Sequence, residues 1–166
     1  MTRFVSEALA NHERAAFLSG NDRGDLYLRE TVSQVVKRKY AVCYLLIEPS
    51  TGKVAGFYTL SAHSIPLNDV VPELAKKLPR YSSVPVVLIG WTGRDLAFRG
   101  AGGGSLLLYD AISRAAKAPA CAYAICADTI DDPAAAFYRV HQFQPLVSRP
   151  QNLFLPMKIA LALVSG

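Results

Sequence analysis

The sequence contains few cysteines and no recognisable metal-binding spacing. Its 166 residues include three cysteines, Cys43, Cys121 and Cys126, without a CxxC pair or a Cys/His cluster. An odd count without such spacing argues against a disulfide framework and a zinc site, so no metal is expected. All three lie in apolar segments, which predicts buried free thiols and a cytoplasmic location.

Long apolar runs are also absent. None reaches the roughly 18 to 20 residues that span a bilayer, and the first residues lack the apolar stretch of a signal peptide. We therefore expect neither a membrane association nor a signal peptide. The chain is 51% hydrophobic, which argues against a disordered polypeptide and predicts one folded domain over residues 1–166.

The charge balance is modestly basic. Eighteen Lys and Arg oppose 13 Asp and Glu, for a formal net charge of +5. This excess allows a polyanionic partner but does not require one. Local basic runs occur at Lys37-Arg38-Lys39 and Lys76-Lys77. They fit either a binding face or the solvated ends of helices, where cations are favourable.

The first half of the chain predicts two helices and a β-hairpin. We expect helices over Val5–Leu18 and Asp25–Arg38, the second from its apolar stripe of Leu26, Leu28, Val32, Val35 and Val36. Two strand-like runs, Ala41–Ile47 and Val54–Ser61, flank the turn Pro49–Lys53. Such runs around a short glycine-containing turn indicate a hairpin.

The second half alternates strands and helices after a long loop. The loop His63–Ser83 contains three prolines and a short helical piece, Val71–Leu78, and loops of this length are often functional. The elements expected after it are a strand from Val84–Ile89 toward Ala97, a helix at Leu106–Ala116 that ends at Ala118-Pro119, a strand at Cys121–Ala127, a helix from Asp131 to His141 and a strand at Asn152–Ile159. The order α-α-β-β-β-α-β-α-β predicts a mixed sheet with helices on its faces.

The most informative segment is a glycine-rich turn between a strand and a helix, Arg99-Gly100-Ala101-Gly102-Gly103-Gly104-Ser105. Such a turn leaves several backbone N–H groups unpaired and pointing the same way, which favours a phosphate or pyrophosphate. Arg99 adds a positive charge. A dinucleotide loop would need an early βαβ position and a downstream acidic residue, and a Walker loop would need Gly-Lys-Ser/Thr. Neither pattern is present.

The turn and later segments resemble the GCN5-related N-acetyltransferases. Residues 99–104 fit that family's Gln/Arg-x-x-Gly-x-Gly/Ala pattern, and Phe137-Tyr138, followed by Phe143 and Pro145-Leu146, fits its helix after the turn. Thr59-Leu60-Ser61 and the closing Leu153–Met157 resemble the acetyltransferase toxins of toxin–antitoxin pairs. The resemblance implies an α+β fold with a central mixed, mostly antiparallel twisted sheet flanked by helices.

The same resemblance implies a co-substrate and a set of site residues. Acetyl-CoA is the implied acetyl donor, with Tyr138 as the general acid that protonates the departing thiolate. The residues expected to bind acetyl-CoA are Thr92, Gly93, Arg94, Arg99, Gly100, Ala101, Gly102, Gly103, Gly104, Ser105, Asp132 and Phe137. The implied role of the turn is to hold the pyrophosphate.

The toxin subgroup further implies a substrate and partners. The substrate would be the α-amine of aminoacyl-tRNA, and its acetylation would block translation. The residues expected to face tRNA are Arg29, Lys37, Arg38, Lys76 and Lys77, with Arg23 beside them. A ribbon-helix-helix antitoxin and a homodimer are also implied. Two alternatives remain open: acetylation of a small amine or protein N-terminus, and a catalytically weak domain that acts through partner binding.

Several residues have more than one interpretation. His63 and His141 are candidate general bases by residue type only, although an α-amine that is partly neutral near pH 7 needs no dedicated base. Asp128, Asp131 and Asp132 are expected to cap the fourth helix. Trp91 replaces the family's usual arginine, and His141-Gln142 replaces Phe-Gly. The Trp91 ring could stack on a nucleotide base or cover the core.

Overall fold

The structure is a computed structural model, and we describe its residues 4–100, 102–118 and 120–165. Seven strands are present there: β1 (Val5–Ala8), β2 (Val42–Glu48), β3 (Lys53–Pro66), β4 (Ser83–Arg94), β5 (Ala124–Asp128), β6 (Gln144–Pro145) and β7 (Asn152–Pro156). The α-helices are α1 (Asp22–Leu26), α2 (Val32–Lys37), α3 (Pro72–Ala75), α4 (Gly103–Ala116), α5 (Asp132–Val140) and α6 (Met157–Ser165).

The strands are hydrogen-bonded in the order β1-β2-β3-β4-β5-β7-β6. β4 and β5 are parallel, whereas β1–β2, β2–β3, β5–β7 and β6–β7 are antiparallel. This confirms the expected mixed, mostly antiparallel sheet. The described residues fall into two compact units, the first lying within Met1–Ser61 and Gly90–Ala111 and the second within Ala62–Ile89 and Ile112–Gly166.

The predicted helix over Val5–Leu18 is wrong. Residues Val5–Ala8 form β1, which pairs with β2 from Val5 opposite Ile47 to Ala8 opposite Tyr44. The backbone from Leu9 to Gly20 forms neither helix nor strand. Local helix propensity is a weak preference, and hydrogen bonding to the edge of β2 overrides it here.

The second predicted helix forms, but a π turn interrupts it. The π turn spans Tyr27–Thr31, between α1 and α2. Leu28 and Val32 are fully buried, as expected, whereas Leu26 is exposed and Tyr27 packs against the core instead. An i to i+5 turn inserts an extra residue and rotates the buried face, which the regular helical period does not predict.

The predicted hairpin is confirmed, and its second strand is longer than expected. β3 continues past Ser61 to Pro66, so the start of the predicted proline-containing loop, including His63, is strand. Glu48 organises the turn, because its carboxylate accepts hydrogen bonds from the hydroxyls and backbone N–H groups of Ser50 and Thr51. These hydrogen bonds lower the pKa of Glu48 to about 2.

The second unit has β5 at its centre, between β4 and β7. Ala124, Ile125, Cys126 and Ala127 are buried, as their continuous apolar run predicts. Cys121 is exposed, contrary to expectation, because β5 begins three residues later. Burial raises the pKa of Cys43 and Cys126 to about 12. The predicted helix end at Pro119 lies outside the described residues.

The last predicted strand is only partly correct. It ends at Pro156, and residues Met157–Ser165 form α6. The apolar run Ile159–Val164 therefore belongs to a helix, since a short apolar run alone does not distinguish the two states. Within the described ranges, no helix is long and apolar enough to cross a membrane.

A buried carboxylate ties two loops of the second unit together. Asp69, 4% exposed, accepts hydrogen bonds from the Ser148 backbone N–H at 2.8 Å and from the Ser148 hydroxyl at 2.6 Å. The Arg149 guanidinium lies 3.5 Å away. Burial alone would raise the pKa of Asp69, but the hydrogen bonds from Ser148 and the charge of Arg149 outweigh it, and the pKa is lowered.

Replacing Asp69 should reduce stability in a pH-dependent way. Because its pKa is lowered by folding, Asp69 stabilises the protein above its unfolded-state pKa of about 3.9 and loses that effect as the pH falls. We expect Asp69→Asn to lower the free energy of unfolding at pH 7 by about 1 kcal/mol, with a smaller difference below pH ~4. Urea unfolding at both pH values measures this. An effect no larger than that of the exposed control Glu13→Gln would contradict it.

Candidate functional site

The glycine turn leads directly into α4. Arg99 is exposed, and Gly100 and Gly102 have φ values of +85° and +76°, a left-handed region that favours glycine. α4 begins at Gly103, three residues earlier than predicted. The first N–H groups of a helix have no acceptor within it and carry partial positive charge. Ala101, also predicted to bind acetyl-CoA, lies outside the described residues.

A second cation lies against the start of α4. The Arg94 side chain, from the end of β4, covers the first turn of the helix. A Cβ built on Gly104 would lie 3.1 Å from the Arg94 Cζ and Nη1 atoms, and one on Gly103 would lie 3.8 Å from its Cδ atom. The guanidinium and the helix N-terminus therefore present positive charge at the same place, an arrangement that favours an anion.

Two residues near the end of β4, Gly93 and Trp91, pack against aromatic rings of the first unit. A Cβ on Gly93 would lie 2.9 Å from a ring carbon of Phe57, so only glycine leaves room for that buried ring. Trp91 stacks on Tyr27, with ring centroids 4.6 Å apart and planes 16° apart. Of the two interpretations of Trp91, the structure shows the one in which it covers the core of the first unit. Thr92, beside it, is exposed.

α4 approaches β3 very closely at Gly56. A Cβ built on Gly56 would lie 2.8 Å from the Leu107 side chain and 3.1 Å from the Gly93 carbonyl oxygen. The sequence offered only a weak signal for this contact, a lone glycine inside a strand pattern. The contact fixes the distance between α4 and the sheet four residues after the helix begins.

α5, in the second unit, begins as predicted. The Asp131 carboxylate accepts a hydrogen bond from the Ala134 N–H at 2.8 Å, and Pro133 occupies the first turn. The other two aspartates predicted as caps have different partners. Asp132 accepts from the Gln151 side chain at 2.9 Å, and Asp128 accepts from the Asn152 amide.

Tyr138 lies half-buried on α5, between two aromatic rings. Its ring meets Phe137 and Phe143 edge-on, at centroid distances of 5.6 Å and 5.2 Å. The His141 Nδ1 atom is 2.8 Å from the Phe137 carbonyl oxygen, a hydrogen bond if Nδ1 carries the proton. The His141 ring also contacts the Phe137 ring, with centroids 4.7 Å apart. His63 is exposed on β3.

The predicted tRNA-facing cations are divided between the units. Arg29, Lys37 and Arg38 belong to the first, where the half-buried Arg29 guanidinium donates to the Phe17 carbonyl at 2.9 Å. Lys76 and Lys77 belong to the second. Lys76 and Arg80 line a groove of about 720 Å³ there. Arg80 was not among the predicted residues.

The first unit thus brings together the predicted residues of β4, the glycine turn and α4, whereas Asp132, Phe137 and Tyr138 lie on α5.

No protein-family model matches the sequence. The chain is 32% identical over 155 residues to a probable toxin TacT of Sinorhizobium fredii, covering 88% of this chain and 86% of that protein. It is also 32% identical over 151 residues to a tRNA-acetylating toxin of Mycobacterium tuberculosis, covering 90% and 89%.

The chain belongs to the acetyltransferase toxins of the GCN5-related N-acetyltransferase family. It is therefore an N-acetyltransferase.

Solved structures show the same fold. One is AtaT complexed with acetyl-methionyl-tRNAfMet, with a TM-score of 0.90 and 23% identity over 97% of this chain and 99% of that one. Another is a tyrosine-to-phenylalanine mutant of KacT, with a TM-score of 0.89 and 24% identity over 96% and 98%. The acetyltransferase fold predicted from the sequence is confirmed.

The close approach at Gly56 makes a specific prediction. Gly56→Ala should lower the free energy of unfolding by roughly 1–3 kcal/mol, because its methyl group would push Leu107 and α4 away from β3. Gly24→Ala is the matched control, since a Cβ there meets its neighbours at 3.7–3.9 Å, an ordinary contact distance. Thermal and urea unfolding measure the difference. Equal stability of the two variants would show that α4 is not held at this distance.

Proposed function

We propose that this acetyltransferase transfers the acetyl group of acetyl-CoA to the α-amine of aminoacyl-tRNA, and so blocks translation. The observation that carries the proposal is 32% identity to a tRNA-acetylating toxin over 90% of the chain. The similarity of the fold to AtaT, solved with an acetylated aminoacyl-tRNA, supports it. We further propose that residues 1–166 act as one functional domain.

The proposed binding site for the acetyl-CoA pyrophosphate is the start of α4. The N–H groups of Gly103, Gly104 and Ser105 are the donors expected there, with positive charge from Arg94 and Arg99. The backbone of Thr92 and Gly93, at the end of β4, is expected to hydrogen-bond the pantetheine arm. Such bonds use main-chain groups and therefore tolerate glycine.

The proposed chemistry is a direct transfer. The neutral α-amine attacks the thioester carbonyl, a C–N bond forms, and the C–S bond then breaks. The amine gives its proton to water, the departing CoA sulfur takes one from the Tyr138 hydroxyl, and the Tyr138 phenolate regains a proton from water. The products are N-acetyl-aminoacyl-tRNA and CoA. An acetylated amine is no longer a nucleophile, which prevents that aminoacyl group from accepting a growing peptide.

Positive charge on both units supports a tRNA substrate. Lys37, Arg38, Lys76 and Lys77 are exposed, and cations of this kind contact phosphates in a salt-dependent, sequence-independent way. Arg29 is the exception among the proposed contacts, because its hydrogen bond to Phe17 gives it a structural role as well.

We also propose an antitoxin partner and a homodimer. A structure of AtaT bound to the C-terminus of the antitoxin AtaR and a KacTA–DNA complex support the first. Family resemblance supports a ribbon-helix-helix antitoxin and the dimer. A cytoplasmic location follows from the substrate, since aminoacyl-tRNA is used where proteins are synthesised.

Cell-free translation tests the proposed function. The purified protein should stop synthesis only when acetyl-CoA is present, because the acetyl group is what blocks the α-amine. Tyr138→Phe should lower kcat for acetyl transfer by about 10²–10⁴-fold, since the thiolate then leaves without a proton. The mutant's affinity for acetyl-CoA, measured by calorimetry, should change by less than about twofold.

The matched control is Tyr81→Phe, which removes the hydroxyl of a tyrosine that is 75% exposed. It should inhibit translation like the unmodified protein. Inhibition without acetyl-CoA would overturn acetylation as the cause. Full activity of Tyr138→Phe would remove Tyr138 from the reaction.

A further inference from the structure

A polar contact holds α4 to the sheet, two turns after the helix begins. Tyr58, on β3, has a side chain that is 1% exposed, and its hydroxyl donates to the Asp110 Oδ2 atom of α4 at 2.5 Å. The Ser6 hydroxyl, on β1, donates to the same oxygen atom at 2.7 Å. One carboxylate oxygen therefore joins the helix to two strands.

The hydrogen bond from Tyr58 to Asp110 lies beside the close approach of Leu107 to Gly56. Gly56 and Tyr58 are two residues apart on β3 and so face the same side of the sheet. Leu107 and Asp110 are three residues apart on α4 and so lie on one side of the helix. Leu107 against Gly56 fixes the distance of α4 from β3. The hydrogen bond from Tyr58 to Asp110 adds a second point, which opposes rotation and sliding of the helix.

The orientation of α4 matters because its first turn is the proposed pyrophosphate site. Gly103 precedes Asp110 by seven residues, or roughly 10 Å along the helix axis. Backbone N–H groups cannot change direction independently of their helix. A displacement on the order of 1 Å is enough to weaken such preorganised hydrogen bonds strongly.

We infer that Asp110 is a positioning residue for acetyl-CoA: by accepting hydrogen bonds from Tyr58 and Ser6 it aims the first turn of α4 at the pyrophosphate. The inference rests on the proposed site at the start of α4. It requires no contact between Asp110 and acetyl-CoA. Asp110 should therefore affect how tightly the nucleotide half of acetyl-CoA binds and should not affect the rate of the chemical step.

Calorimetry with two probes, CoA and pantetheine, tests the inference. Pantetheine lacks the pyrophosphate, so a misdirected α4 should weaken CoA alone. We expect Asp110→Ala to raise the Kd of CoA by about tenfold, equivalent to ~1.4 kcal/mol, and to leave that of pantetheine within about twofold. In kinetics, the KM for acetyl-CoA should rise by a similar factor, with kcat within about threefold.

Two further variants separate positioning from general destabilisation. Asp110→Asn keeps a carbonyl oxygen that accepts both hydrogen bonds, and it should restore CoA affinity to within about threefold of the unmodified protein. Tyr58→Phe removes one donor and should weaken CoA severalfold, even if Asp110→Ala fails to fold. The matched control for Tyr58→Phe is Tyr123→Phe, which removes the hydroxyl of a partly buried tyrosine of the second unit. This control should not weaken the binding of CoA.

Three results would overturn the inference: unchanged CoA affinity in Asp110→Ala and Tyr58→Phe, equal weakening of CoA and pantetheine, or an Asp110→Asn variant as weak as Asp110→Ala. Failure of the proposed function is distinguishable. If the unmodified protein binds CoA but does not acetylate aminoacyl-tRNA, the substrate proposal fails and the positioning role stands. If it does not bind CoA, both fail.

Discussion

The close packing of α4 against β3 is the constraint on which the site depends. At Gly56 the Leu107 side chain occupies the space of a Cβ, and at Gly93 the Phe57 ring does the same. Glycines that look like weak points in the strands are therefore what allow a helix and large rings to lie close to the sheet. With α4 held there, its first turn lies against Arg94 and follows the glycine turn, at the proposed pyrophosphate site.

The two units contribute different parts of an acetyltransferase. The first contains the proposed pyrophosphate site at the start of α4, whereas the second contains Tyr138, the proposed general acid, which packs against two aromatic rings. The cations proposed to contact tRNA are divided between the units, because Lys37 and Arg38 lie on one unit and Lys76 and Lys77 on the other. Salt-dependent affinity spread over several cations suits a substrate whose backbone is uniformly charged.

Sequence reasoning succeeded where a pattern has a local physical cause. The hairpin follows from its turn, α5 from the Asp131 cap and Pro133, and α4 from the glycine turn before it. Prediction from the sequence failed where residues distant along the chain decide the structure. Val5–Ala8 is a strand only because β2 offers an edge, and the π turn at Tyr27–Thr31 is invisible to a regular period. Neither the stacking of Trp91 on Tyr27 nor the role of Asp110 is predictable without the tertiary contacts that create them.

The most direct test of the account is transfer of labelled acetyl groups from acetyl-CoA to total charged tRNA, with mild ester hydrolysis to identify the labelled amino acid. We expect label on the α-amine of the released amino acid and none on deacylated tRNA. Label on deacylated tRNA, or on free amines while charged tRNA remains unlabelled, would contradict it.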